Sequence, residues 1–162
     1  MKRVLVVIMF GLLIGAMVLV TAAPALGYTP GVWTGKGTFG DGTSFALRLH
    51  DGADHNQNTL RVDSGGNRFQ LTQLTYVEVL NDPTITPELP AVNDTYHGKG
   101  VGKYNGVDGY QAEFIFTDAG EPGIVAHDWA WIRITDAGGA PIMEVSGFLR
   151  FGNQQAHSLV KM

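Results

Sequence analysis

Gly100-Val-Gly-Lys-Tyr-Asn-Gly106 runs directly into Val107-Asp-Gly-Tyr-Gln-Ala-Glu-Phe-Ile-Phe-Thr117. Asp118-Ala-Gly-Glu-Pro-Gly123 and Asp128-Trp-Ala-Trp-Ile-Arg-Ile134 come next. Asn105-Gly106 is a strong short-range hairpin signal, because both central residues of a type I′ turn need positive φ. Beyond that turn, period-2 alternation puts Tyr110, Ala112, Phe114 and Phe116 on one face. Ala130, Ile132 and Ile134 share a face in the same way after the Gly/Pro loop. Strand, tight turn, strand, rigid loop, strand is a β-meander, and it decides the fold class.

The same alternation extends outward through residues 33–39, 45–49, 59–63, 68–80, 95–104 and 142–151, with a last extended piece through His157. Turn residues separate these runs at Gly40-Asp-Gly42, Ser64-Gly-Gly-Asn67 and Asp136-Ala-Gly-Gly139. No capped stretch with helical periodicity interrupts them. In the 68–80 run the phase slips: Phe69 and Leu71 share a face with Val77 and Val79, while Leu74 and Tyr76 lie opposite. A β-bulge between Leu71 and Val77 accounts for that. Asp82-Pro-Thr-Ile-Thr-Pro-Glu-Leu-Pro90 is a loop too long for a simple hairpin. The expectation is an all-β chain, a roughly eight-stranded antiparallel meander closing into a barrel, with a β-sandwich as the alternative. Glycines inside strands (Gly35, Gly37, Gly98, Gly100, Gly102) favour the barrel, because they permit strong bending.

Lys2 and Arg3, the apolar run from Val4 to Val20, and small residues at Ala25 and Gly27 read as a signal peptide over 1–27, cleaved before Tyr28. An uncleaved anchor is the alternative, since the run barely reaches spanning length. With no cysteine there is no lipoprotein attachment site, disulfide, thiol nucleophile or Cys-ligated zinc. The expectation is a single β-rich domain over 28–162, secreted or at the cell exterior, without membrane insertion after cleavage. The formal net charge is −4, and the leader carries two of the 11 basic residues, so the remainder is more acidic still. Such a domain is a poor partner for nucleic acid.

Chemistry-bearing residues are sparse. Asp118, Glu121 and Asp128 sit on one loop and offer hard oxygen ligands, so calcium is the cofactor to consider. The spacing is not that of an EF-hand, and the two aspartates also read as acceptors for turn N–H groups. His50, His55, His97, His127 and His157 show no metal-ligand spacing. Ser44, Ser64, Ser146 and Ser158 lie in no nucleophile motif. Glu113 and Glu144 fall on polar strand faces, where solvated charge is the ordinary reading. Gly98-x-Gly-x-Gly102 opens no helix and is not a phosphate loop. The sharper feature is Trp129, Trp131 and Arg133, which alternate against Ala130, Ile132 and Ile134. Two indoles and a guanidinium on the outer face make an amphipathic platform for a sugar or a protein. Cover by a loop or by the Trp33 segment, or reversed faces, are the structural alternatives.

Gly100 to Tyr110, Thr117-Asp-Ala-Gly-Glu-Pro-Gly123, Asp128 with Ala130-Trp-Ile-Arg-Ile134, and Ser146-Gly-Phe-Leu-Arg-Phe-Gly-Asn-Gln-Gln-Ala-His157 resemble the post-COAP domain family. Trp129, Trp131, Gln154 and Ala156 depart from its usual pattern. The resemblance implies a secreted β-rich module and transfers no catalytic residue. Together these readings point to an exported, non-catalytic β module for extracellular binding, adhesion or scaffolding, with a polysaccharide or cell-surface protein as partner. The alternative is a small-molecule-binding or enzymatic eight-stranded barrel with an interior ligand cavity. A core filled by Phe45, Leu47, Tyr110, Phe114, Phe116, Ile132 and Ile134 would speak against that cavity.

Overall fold

The alternating runs become nine strands in the computed structural model, which describes residues 31–51, 57–82, 93–120 and 128–158. They are β1 (Gly31–Thr38), β2 (Ser44–His50), β3 (Thr59–Ser64), β4 (Asn67–Leu80), β5 (Thr95–Tyr104), β6 (Val107–Thr117), β7 (Trp129–Thr135), β8 (Pro141–Phe148) and β9 (Phe151–Ser158). The leader, Glu121, His55, His127 and most of the 82–90 loop lie outside the described residues. All neighbours pair antiparallel in one sheet of order β8-β7-β6-β5-β4-β3-β2-β1-β9.

Leu149 and Arg150 alone separate β8 from β9, yet these strands stand at opposite ends of that order. The sheet must therefore curl far enough for a two-residue link to span its two ends, which gives a half-barrel whose end strands do not pair with each other. Two backbone bonds pin the link: Leu149 N–H donates to the Asp128 carbonyl and Arg150 N–H to the Thr38 carbonyl, both at 2.9 Å. Nine strands agree with the roughly eight-stranded meander expected, with one boundary moved. The 142–151 run is not one strand, because its backbone leaves β7 at Phe148 and joins β1 at Phe151.

Large inward side chains fill the curl. Trp33, Phe45, Leu47, Leu49, Leu60, Phe69, Tyr96, Phe114, Phe116, Ile132 and Ile134 are buried in one cluster, with Tyr110 packed against its margin. Rings meet at tilted angles, Trp33 on Tyr96 at 5.1 Å and Phe45 on Phe116 at 5.0 Å. The interior is thus a packed core. The β4 phase slip is resolved by irregularities between Leu71 and Gln73 and between Leu74 and Tyr76. These let Leu74 join Phe69 and Leu71 inside while Tyr76 stays outside. The Asn105-Gly106 turn has φ of 51° and 84°, as a type I′ hairpin requires. On β5, Gly98 lies under the Phe114 ring and Gly102 under Phe69, so the two aromatics pack directly on backbone.

Candidate binding face

Strand register decides which polar residues meet on the convex side. Tyr76, Lys99, Glu113, Arg133 and Glu144 form one row across β4 to β8. A second row is Glu78, His97, Ile115, Trp131 and Ser146; a third is Leu80, Thr95, Thr117, Trp129 and Phe148. Trp129, Trp131 and Arg133 therefore do share an outer face, and Ala130, Ile132 and Ile134 are fully buried behind them. Both indoles are partly buried. Trp33 does not cover them, because it lies in the core at 2% exposure.

A charge network stitches the first two rows. The Trp131 indole N–H donates to Glu144 Oε1 at 3.0 Å, and Arg133 Nε lies 3.8 Å from Glu144 Oε2. Lys99 Nζ stands 2.9 Å from Glu113 Oε1, which also meets His97 Nε2 at 2.9 Å. The Tyr76 hydroxyl donates to Glu78 Oε2 at 2.8 Å, its ring meets His97 edge-on, and the Lys99 ammonium lies over it at 5.8 Å. The Lys99 ammonium, and after it the His97 ring, hold the Glu113 carboxyl below its ordinary value against a smaller opposing effect of burial. The hydrogen bond to Glu78 raises the Tyr76 phenol, because it ties the proton to a carboxylate. Glu113 is thus poised as a charged acceptor, the opposite of what a general acid needs.

On the other side of the first row, toward Val101, Gln111 and Thr135, lies a cleft of ≈ 370 Å³ that Thr75, Lys99, Glu113 and Arg133 also line. From Thr75 on β4 to Arg133 on β7 it crosses three strand spacings, about 14 Å. Sequence reasoning picked out Trp131 and Arg133 but missed Tyr76, His97 and Lys99 as their neighbours. Alternation alone places those three outward, but the β4 irregularities set the row they join.

The calcium expectation fares differently. Asp118 and Asp128 come together, but each of their oxygens accepts a backbone N–H. Asp118 takes Gly120 at 2.9 Å and Ala156 at 2.8 Å; Asp128 takes Ala119 at 3.0 Å and Gln154 at 2.6 Å. Glu121 lies outside the described residues. Among the described residues no group of three or more His, Asp or Glu side chains is placed to hold a metal. A second cleft of ≈ 670 Å³ lies among the hairpin tips near Ser64, Asn67, Arg68, Lys103 and Asn105. Asp63 there pairs with Arg61 at 2.6 Å and Arg68 at 2.7 Å, which leaves the cleft without a free aromatic or a concentrated charge.

Comparison with protein-family models, with curated proteins and with solved structures gave no match for this chain.

Proposed function

We propose that this chain is an exported, non-catalytic β module that binds an extended polysaccharide across the convex face of β4 to β8. One observation carries the reading: the half-barrel is filled by side chains, while Lys99, Glu113 and Arg133 line an outer cleft long enough for several sugar units, with Tyr76 paired beside Lys99 and Trp131 one row over from Arg133. Sugar rings stack on indole and phenol faces, and their hydroxyls find both donors (Lys99, Arg133) and acceptors (Glu113, Glu144) along the row. The leader pattern at the N-terminus supports export. Material secreted from the full chain should begin at Tyr28; intact Met1 protein in the membrane fraction would contradict release.

The binding test is a glycan array, followed by titration of any glycan captured. Trp131→Ala should weaken that binding by about 30-fold, as loss of an aromatic anchor does. Its melting temperature should stay close to that of the parent, because the indole packs on the outer face and not in the core. Equal affinity in the variant, or no glycan captured at all, would defeat the proposal.

A further inference from the structure

The two ends of the sheet are treated differently. On the flank of β9 away from β1, the Gln154 and Ala156 N–H groups are accepted by Asp128 and Asp118. That edge is therefore closed by side chains. Among the described residues no strand pairs with the edge of β8 away from β7. Met143 and Val145 pair in register with Ile134 and Ile132, which are fully buried, yet they are themselves only partly covered. Ile142 and Phe148 on the same strand are 39% and 68% exposed. A bare backbone edge flanked by uncovered apolar side chains is a template for another strand.

We propose that the β8 edge pairs antiparallel with β8 of a second copy of this chain, forming a two-fold dimer. An antiparallel edge is self-complementary, so two copies satisfy each other without any further partner. The single charge on β8, Glu144, selects the register. Centring the axis on Glu144 would set two carboxylates face to face, which is unfavourable. Centring it on Val145 sets Val145 against itself, Glu144 against the second copy's Ser146, and Ile142 against the second copy's Phe148. That register covers both exposed apolar residues and leaves no like charges opposed. An eight-residue strand pair is about 26 Å long, which makes a small interface and a reversible dimer in the micromolar range.

Sedimentation velocity across a concentration series, on protein produced from the full chain, tests this. The parent should shift from monomer to dimer as concentration rises. Ser146→Glu sets a carboxylate opposite Glu144 twice per dimer and should raise the dissociation constant at least tenfold. Ser146→Lys sets an ammonium there and should lower it. Ser146 is exposed, so both variants should keep the parent's melting temperature when measured at monomer concentrations. A parent that stays monomeric throughout overturns the proposal. So does a dimer indifferent to both substitutions at Ser146.

Discussion

Gln154 is wholly buried, and its side-chain amide donates to the Thr117 carbonyl at 2.6 Å and the Trp129 carbonyl at 2.8 Å. Its backbone N–H goes to Asp128. One residue on β9 thereby satisfies the strand ends on both sides of the 118–128 connection, and Asp118 does the same for Ala156. Most buried polar groups are paired in this way, and here the amide nitrogen is, while the Gln154 Oε1 has no hydrogen-bond partner among the described residues. The aspartates are legible in the sequence as a cluster with local turn N–H groups, but their partners on β9 lie 26 to 38 residues away. No local spacing could separate a seam from a cation site. Asp128→Ala leaves the Ala119 and Gln154 donors without that acceptor and should cost about 3 kcal/mol, at roughly 1–3 kcal/mol for each unsatisfied donor. Chemical denaturation measures that loss. A chelator added to the parent should leave its melting temperature where it was; a large fall restored by Ca²⁺ but not Mg²⁺ would return the loop to metal binding.

Strand β5 shows how an element can be read correctly and still hide its role. Its alternation, the turn at Asn105-Gly106 and the bulged partner β4 all follow from the residue pattern, and all are present. Its glycines read as permission to bend. In the folded chain they do something more specific: Gly98 and Gly102 give up their side-chain volume to the rings of Phe114 and Phe69. Gly98→Val should therefore overpack the core and lose about 2 kcal/mol or more. Val101→Ala, facing outward on the same strand, should lose much less. Similar losses for the two would mean that the glycine stripe serves strand flexibility rather than close packing. Strand β8 is the contrary case: its alternation continues past Phe148, and only the long-range bonds of Leu149 and Arg150 break it. A pattern of inward and outward residues cannot reveal which neighbour the backbone chooses.

Among the described residues, the large apolar side chains gather inside one curled sheet and the charges lie on its convex surface, where acid should act first. Glu113 lies below its ordinary value of 4.5 because Lys99 and then His97 favour the charged form. For Asp63, burial pushes upward, but hydrogen bonds and charge from Arg61 and Arg68 together outweigh it, leaving the group below 3.8. In each case the unfolded chain takes up a proton at a higher pH than the folded chain does. Stability from these groups is therefore complete above their ordinary values and is lost as pH falls through the lowered folded ones. Both carboxyls are about a third exposed, so solvent screening keeps each contribution small. Melting temperature should be nearly level from neutral pH to about 5 and then decline. Because other carboxylates titrate in the same range, the informative quantity is the gap between the parent and Glu113→Gln. That gap should be largest at neutral pH and close below about pH 4, as protonation removes the charge that the substitution has already removed. A gap that stayed constant with pH would assign Glu113 a packing role, and the Lys99–Glu113–His97 network would then contribute nothing through its charge.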